Sequence, residues 1–387
     1  MISRRNTLKT SAAGILAFSA GGLLPATAQP ADASQLTSGP GPDAAGLQRI
    51  LDEFAGSAAS AVLAEVHDAG HVWRGTSGVS ELGSAKPVAP SGRFRAGSIT
   101  KSFIATVVLQ LAGERRLHLD DTIERWLPGT VAEGNRITLR HLLQHTSGIV
   151  NYTNTRPFRM LYGTADQVVE LRDRTWTPFE LLNFTAAEPL LFEPGTSWMY
   201  SNTNYILLGL VIQRATGNHY AQEAGRRILR RLHLPGTEFP GRRSTIAGPH
   251  AHGYLPREVG DQIEPVDITS FNPSVTGASG ELISTTADLN HFYRALLTGR
   301  LLRPAQQTEL QQIRTTGRLY DYALGLQTRL VNGTRLWGHD GDIFGYQAAT
   351  WTTQTGQTQL TVAYTPWGQA DPKPFTEALL TTTFRTP

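Results

Sequence analysis

Two hydrophobic periodicities alternate along the chain, and their order predicts strands at both ends with helices between them. A helix at 44–54 is followed by two strands, 61–66 and 71–75, which the Asp68-Ala69-Gly70 turn joins. Residues 117–236 are mainly helical in pattern, and period-two strands return only in the last fifth of the chain. The remaining predicted elements are helices at 139–145, 178–184 and 205–216, strands at 323–330, 334–338, 346–352 and 358–365, and a last helix at 373–383.

This order predicts an α/β (α+β) fold in which both termini contribute strands to one antiparallel sheet. Helices flank the sheet, and a mostly helical domain is inserted into it. We place the sheet domain at 43–95 and 275–387 and the helical domain at 96–274, with a cleft between the two. A chain of 387 residues with 40% hydrophobic and 17% charged residues is long enough for this arrangement.

The first candidate chemical group is Ser98, at the start of a helix predicted from apolar residues at helical spacing between Ile99 and Leu111. Lys101 follows one turn later, so its ammonium lies beside the Ser98 hydroxyl, and the unpaired N–H groups of the first turn point to the same place. The chain has only four lysines. Lysine can lose its proton and act as a neutral base, whereas arginine cannot. The alternative is a helix cap with a solvated lysine.

Two further stretches carry candidate groups. In 192–202 a Pro194-Gly195 turn presents an extended segment in which Tyr200 and Asn202 point the same way, and the phenol is a candidate proton carrier for the serine. The alternative is a core tyrosine with a turn asparagine.

The third stretch, 336–346, begins as a strand and contains glycines, which allow a substrate backbone to lie close. His339 is expected to direct its imidazole into the cleft, and the Asp342 N–H is a candidate oxyanion donor. The alternative is a structural or solvated histidine in a glycine-rich turn.

The N-terminus predicts export. Residues 1–28 combine a twin-arginine basic region at Arg4-Arg5, an apolar stretch and a small-residue cleavage pattern at Ala26-Thr27-Ala28. The alternative is a frayed basic N-terminus. Residues 29–42 predict a flexible leader. Loss of the signal takes away three cations, so the formal charge falls from +3 to 0, which argues against nucleic acid or an anionic membrane as a partner.

Composition excludes several other classes. The absence of cysteine rules out disulfides, thiolate metal sites and a cysteine nucleophile. His141 and His145 have the helical spacing of metal ligands, but the glutamate that a metalloprotease places after the first histidine is missing. We therefore expect no metal and no cofactor, and no membrane span in the mature chain.

Together the three stretches resemble the penicillin-recognising serine hydrolases, which include serine-type D-Ala-D-Ala carboxypeptidases, class C β-lactamases and related esterases and D-aminopeptidases. Ser98-Ile99-Thr100-Lys101 resembles the S-x-x-K motif, Tyr200-Ser201-Asn202 resembles Y-x-N, and His339-Asp340-Gly341 resembles the third motif in its H-x-G form. Residues 142–148 and 278–285 add support, and the likeness is strongest to secreted actinobacterial carboxypeptidases. It covers about residues 47–384 and implies a β-lactamase/DD-peptidase-like fold.

The resemblance implies the roles. Ser98 attacks an acyl carbonyl, Lys101 and Tyr200 move its proton, and the Ser98 and Asp342 N–H groups hold the oxyanion. It assigns binding of the acyl side-chain amide to Asn202 and electrostatic support of Tyr200 to His339. Which of Lys101 and Tyr200 is the acylation base stays open.

Two positions depart from the carboxypeptidase pattern. Asp340 and Gln327 stand where the family has a threonine and an arginine that bind the terminal carboxylate of the substrate. An anion facing that carboxylate costs about 1 kcal/mol at 4 Å in water. Arg329 and Arg335 are candidates to compensate. We expect Asp340 to shift specificity toward amide, ester or amine-bearing substrates.

The sequence therefore predicts an exported extracellular or periplasmic serine hydrolase of the D-Ala-D-Ala carboxypeptidase type. The expected ligands are small peptides or peptidoglycan-type substrates, with β-lactams as further candidates. The alternatives are a D-aminopeptidase, D-amino-acid amidase or esterase, then a β-lactamase or a non-catalytic penicillin-binding sensor. We expect a monomer.

Overall fold

A computed structural model describes residues 41–367 and 371–385. The predicted signal and residues 29–40 of the predicted leader lie outside these ranges. The strands are β1 Ala59–Asp68, β2 His71–Gly78, β3 Phe94–Arg95, β4 Tyr254–Val259, β5 Gln262–Asp267, β6 Ile283–Ser284, β7 Asp321–Tyr322, β8 Gln327–Val331, β9 Thr334–Ile343, β10 Tyr346–Thr353 and β11 Gln359–Pro366. The α-helices are α1 Ala44–Ala55, α2 Thr100–Gly113, α3 Ile123–Trp126, α4 Leu139–Gln144, α5 Arg156–Tyr162, α6 Ala165–Glu170, α7 Pro178–Asn183, α8 Asn202–Thr216, α9 Tyr220–Ala224, α10 Arg230–Leu232, α11 Thr286–Leu297, α12 Pro304–Leu310 and α13 Lys373–Thr383.

One antiparallel seven-stranded sheet is assembled from both ends of the chain, in the order β2-β1-β11-β10-β9-β8-β7. The first strand, β1, pairs with the last, β11, so the sheet is complete only when the whole chain between them has been made. The predicted fold class is confirmed in this respect. The domain boundaries stay a prediction.

Most predicted elements are present, and the differences occur at turns and at strand pairs that the local sequence pattern does not indicate. The predicted strand 323–330 is wrong in its first half, because Ala323 N–H bonds to Leu326 O in a turn that ends β7 and precedes β8. Gly325 lies in that turn with a φ of 79°. The hairpin of β4 and β5 falls within the region expected to be mainly helical.

Both faces of the sheet are covered, which explains the continuous apolar run of β1. Ala61 and Leu63 face one hydrophobic core, and Val62 and Val66 alternate with them to face a second. Helices α1 and α13 pack on the second face, while α11 and, beyond it, α2 and α8 belong to the first. No helix of the described residues is long and apolar enough to cross a membrane.

Candidate active site

Ser98 lies in a 3-10 turn, Gly97–Ile99, between β3 and α2. Gly97 has a φ of 51°, and a Cβ there would lie 2.8 Å from the backbone nitrogen of Asp342. The glycine therefore allows the nucleophile turn to contact β9 directly. The serine itself stays partly exposed.

Lys101 is completely buried beside this serine. Its Nζ lies at hydrogen-bond distance from three oxygen atoms: Ser98 Oγ at 3.0 Å, Asn202 Oδ1 at 2.8 Å and the carbonyl oxygen of Ser279 at 2.7 Å. None of these three groups carries a charge. Burial lowers the pKa of Lys101 well below its usual value, against a smaller opposing effect of the charge on Asp340. The arrangement favours a neutral amine, which can accept the serine proton.

Tyr200 and Asn202 both contact this lysine. Lys101 Nζ lies 4.9 Å from the centre of the Tyr200 ring. Burial raises the pKa of Tyr200 well above its usual value, and its hydrogen bond with Ser98 only partly offsets this effect. Because Asn202 uses Oδ1 to accept from Lys101, its amide NH₂ remains as a donor for a substrate carbonyl. The structure thus brings together four residues that are spread over 105 positions of sequence.

His339 differs from its expected role. It is fully buried, and its Nδ1 donates to the carbonyl oxygen of Asp340 while its Nε2 accepts from the Tyr322 hydroxyl at 2.9 Å. Burial and the nearby Lys101 lower the pKa of His339 to about 3. The expectation that the imidazole points into the cleft is wrong. A neutral imidazole, whose ring centre lies 6.5 Å from that of Tyr200, positions Tyr322 and β9 rather than supplying positive charge.

The second half of β9 has a free edge toward the nucleophile. Strand β8 pairs only with residues 334–338 of β9. Ile343 and Tyr346 flank a two-residue hairpin loop and form backbone hydrogen bonds with each other. Because such pairs alternate along an antiparallel ladder, the next pair, Asp342 and Gln347, forms no backbone hydrogen bonds. The Asp342 N–H consequently points away from β10, toward the Ser98 turn. A Cβ on Gly341 would lie 3.0 Å from the Ser98 nitrogen, so both expected oxyanion donors lie at this contact.

Asp340 and Gln327 contact each other rather than acting separately. Gln327 is 1% exposed, its Nε2 donates to Asp340 Oδ1 at 2.6 Å, and its Oε1 accepts the Asp340 N–H at 3.3 Å. Direct substrate binding by Gln327 is therefore a wrong expectation, because both groups of its amide hold Asp340. The Asp340 side chain is 38% exposed. Burial raises its pKa despite the bond from Gln327.

The two arginines expected to compensate do not reach this carboxylate. Arg329 donates to both carboxylate oxygens of Glu377 on α13, at 2.7 and 2.9 Å. Arg335 donates to the Thr328 hydroxyl at 3.3 Å. Asp340 is therefore not neutralised by a direct salt bridge to either arginine.

Sequence reasoning missed several groups that hold the site. Tyr322, whose ring centre lies 6.3 Å from that of Tyr200 and 5.7 Å from that of His339, carried no motif. Ser279 and His145 lie in the stretches 278–285 and 142–148, whose resemblance to the family was noted without any role. The Ser279 carbonyl accepts from Lys101, and His145 Nδ1 accepts the Ser201 N–H at 3.2 Å, which fixes the segment between Tyr200 and Asn202.

The geometry does not indicate a metal. Within the described ranges there is no group of three or more His, Asp or Glu side chains placed to hold an ion. His141 Nδ1 instead accepts the Thr138 N–H at the start of α4.

The site defines a class: a serine hydrolase in which a buried lysine and a tyrosine accompany the nucleophile, with an oxyanion site between a helix start and a strand edge. The Beta-lactamase family model matches residues 47–379. The chain belongs to this family, and it is a hydrolase.

Relatives of known structure cover nearly the whole fold. A D-stereospecific amidohydrolase from Streptomyces sp. is 35% identical, with a TM-score of 0.81 over 89% of this chain and 99% of that chain. The D-amino acid amidase from Ochrobactrum anthropi SV3 is 25% identical, with a TM-score of 0.76 over 87% and 97% of the two chains.

Among curated proteins, Penicillin-binding protein 4* of Bacillus subtilis is 28% identical over 70% of this chain and 60% of its own length. Esterase EstB of Burkholderia gladioli is 35% identical over 39% of each chain. The match therefore spans only about 40 to 60% of the length of these curated relatives.

Proposed function

We propose that the enzyme is an acyl-enzyme amidohydrolase that cleaves amide bonds next to D-amino acids and prefers leaving groups without a free carboxylate. The observation that carries the proposal is Asp340, an accessible carboxylate that Gln327 holds at the cleft and that neither Arg329 nor Arg335 neutralises. The preference for D-amino acids rests on the amidohydrolase and amidase relatives.

The proposed mechanism follows from the contacts. Ser98 Oγ attacks the amide carbonyl, its proton passes to the group formed by Lys101 and Tyr200, and the developing oxyanion binds the Ser98 and Asp342 N–H groups. The same group then returns the proton to the leaving nitrogen, so the amine departs neutral. Water or a second amine attacks the ester at Ser98 and releases the acyl group.

In the proposed mechanism Tyr200 returns the proton to the leaving nitrogen. Burial raises the pKa of Tyr200, and Asp340 is close enough for its charge to raise it further, so we place the leaving group near Asp340. A carboxylate on the leaving group therefore approaches a like charge in a partly dry cleft, which costs about 1 kcal/mol at 4 Å in water and about 4 kcal/mol at an effective dielectric constant of 20. An amide or an amine has no such cost.

A second candidate is the D-Ala-D-Ala carboxypeptidase expected from the sequence, and one contact favours it. Arg318 lies over the Trp198 ring at 5.5 Å from its centre, and its charge lowers the pKa of Tyr320 while that of Asp340 raises it. Tyr320 therefore lies close to both a cation and an anion. If the leaving group extends to Arg318, a terminal carboxylate finds a partner.

The test compares kcat/KM for a D-peptide with a free C-terminus and for the same peptide as its C-terminal amide. We expect the amide to react at least about tenfold better, and Asp340→Asn to remove this preference by raising kcat/KM for the acid. Arg318→Gln is the matched variant, expected to leave the ratio unchanged. A preference for the acid that Arg318→Gln abolishes would establish the carboxypeptidase and reject the proposal.

We also propose export through the twin-arginine signal, and a monomer. Both proposals rest on the sequence. A fusion of residues 1–40 to a reporter that is active only outside the cytoplasm tests export, with Arg4→Lys/Arg5→Lys as the control. Labelling by a fluorescent penicillin separates the remaining alternatives: a stable label at Ser98 favours a carboxypeptidase or sensor, and rapid loss of the label a β-lactamase.

A further inference from the structure

A concave site lies away from Ser98, at the other end of the helix that carries Lys101. It is a cavity of about 510 Å³, within the usual size range of small-ligand sites. Helix α2 extends over 14 residues from Thr100 to Gly113, so its two ends are roughly 20 Å apart. The cavity is lined by Leu109, Gln110, Gly113, Glu114, Arg226, Arg227, Arg231, Gly299, Arg300, Leu301, Leu302, Arg303 and Gln306.

The charge of this lining is strongly one-sided. Five arginines and a single glutamate contribute to it, in a protein whose mature formal charge is expected to be near zero. Within the described part of the chain, Arg231, Arg300 and Arg303 form no salt bridge. Each guanidinium has five N–H donors. Arg231 and Arg303 each use only one of them, and both donate to backbone carbonyl oxygens.

The walls of the cavity are fixed by hydrogen bonds. Gln110 donates to Leu301 O at 3.0 Å and Arg303 to Gly113 O at 2.8 Å, which attaches the loop between α11 and α12 to the end of α2. Arg231 donates to the carbonyl oxygen of Arg300 at 2.8 Å and attaches the same loop to α10. The concave shape is therefore built into the fold.

The third wall contains an ion-pair network around the buried Arg227 and Glu223. Arg227 is 8% exposed and bonds the carboxylates of Glu114 and Glu223, and Arg226 also donates to Glu223 at 2.9 Å. This wall is a π-helix, Gly225–Leu229, a rare conformation that is often found at functional sites. The network supports Arg227 and, within the described residues, engages only one N–H group of Arg226.

We propose that this cavity, which we call the arginine cavity, binds an anion that carries two or more phosphate groups. Guanidinium groups match phosphate oxygens in pairs, and they are less strongly hydrated than ammonium groups. A volume of about 510 Å³ exceeds what a single phosphate fills. The anion is either a small polyphosphate or a stretch of a phosphodiester polymer, since both present several anionic phosphate oxygens.

The test titrates the full-length protein with sodium tripolyphosphate and, separately, with a short poly(glycerol phosphate) in 150 mM salt by calorimetry. We expect saturable one-to-one binding of at least one probe, and the tighter probe identifies the source. Arg300→Gln is expected to weaken binding about tenfold, because it removes a charged donor without removing a side-chain hydrogen bond that the structure shows. Arg159→Gln, an exposed arginine on α5, is the control and should leave binding unchanged.

Hydrolysis should be equal in both variants and the parent protein, because Arg300 lies outside the active site. Two results overturn the proposal: the absence of saturable binding of either probe in 150 mM salt, or an equal loss of binding in Arg300→Gln and Arg159→Gln. The second would identify attraction by the overall charge rather than a site. Neither result affects the proposed hydrolytic function.

Discussion

Individual residues at this site have pKa values that depend on burial more than on charged partners. Lys101 and His339 are both completely buried, and burial lowers the pKa of each. The consequences differ, because Lys101 reaches Ser98 Oγ whereas His339 reaches only Tyr322 and a backbone carbonyl. One residue serves as a candidate base and the other as a neutral positioning group.

A pH prediction follows for His339. The unfolded chain binds a proton at this imidazole near pH 6.5, whereas the folded protein does so only near pH 3. Between these values the unfolded state binds more protons, so this group destabilises the fold by roughly 1.4 kcal/mol for each unit that the pH falls below 6.5. From pH 7 to pH 5 the free energy of unfolding, measured with urea, should therefore fall by about 2 kcal/mol less in His339→Gln than in the parent protein.

The same variant separates positioning from acid–base catalysis. Because His339 is neutral throughout this range, the pH profile of kcat/KM should keep its shape in His339→Gln even where the rate falls. An altered limb near neutral pH, or an unchanged pH dependence of stability, would contradict the assignment of a neutral imidazole.

At the level of elements, the contact between β9 and the Ser98 turn decides the oxyanion site. A strand edge is left unpaired over residues 339–343 and lies against Gly97–Ile99. Glycines on both sides allow this approach, since a Cβ at Gly341 would lie 2.0 Å from the Ala96 carbonyl oxygen. The spacing of the two N–H donors depends on this contact.

Gly341→Ala tests the contact. The added methyl group would meet the backbone of Ala96 and Ser98, so it must push β9 away from the turn. We therefore expect kcat to fall at least about 100-fold, the usual loss for one oxyanion donor. Gly225→Ala is the control, because its φ is −55° and no atom lies within 4 Å of the added Cβ. An active Gly341→Ala enzyme would show that β9 does not supply the second donor.

At the scale of the whole molecule, the sheet separates two hydrophobic cores that serve different purposes. The core on the face of α11 includes Ile99 and Phe103, next to the nucleophile. The core on the face of α1 and α13 includes Leu379 and the stacked rings of Phe54 and Phe375, whose centres are 3.8 Å apart. It closes the sheet between the two termini without contacting the cleft.

Leu379→Ala should therefore lower stability without changing chemistry. The side chain is completely buried, and its truncation is expected to cost about 2–5 kcal/mol of unfolding free energy. Below the melting temperature, kcat and KM should equal those of the parent protein. Thr381→Ala, exposed on the same helix, is the control and should change stability by less than about 0.5 kcal/mol.

Much of the fold and the centre of the site could be predicted from sequence. Helices α1 and α13 lie within one residue of their predicted ends, because their apolar periodicity and neighbouring turns are local signals. The strand predicted at 323–330 was wrong, because a hydrogen-bonded turn interrupts an apolar run that has no local sign of it. The hairpin of β4 and β5 was also missed.

The sequence by itself determined what depends on neighbours along the chain. Ser98 and Lys101 are three residues apart at a helix start, so their contact at 3.0 Å follows from helical geometry alone. The tertiary structure decided what depends on strand register and on distant segments. It directed His339 away from the cleft, paired Gln327 with Asp340, and gathered five arginines from two distant segments around one cavity. Such pairings arise from long-range packing, which no local pattern encodes.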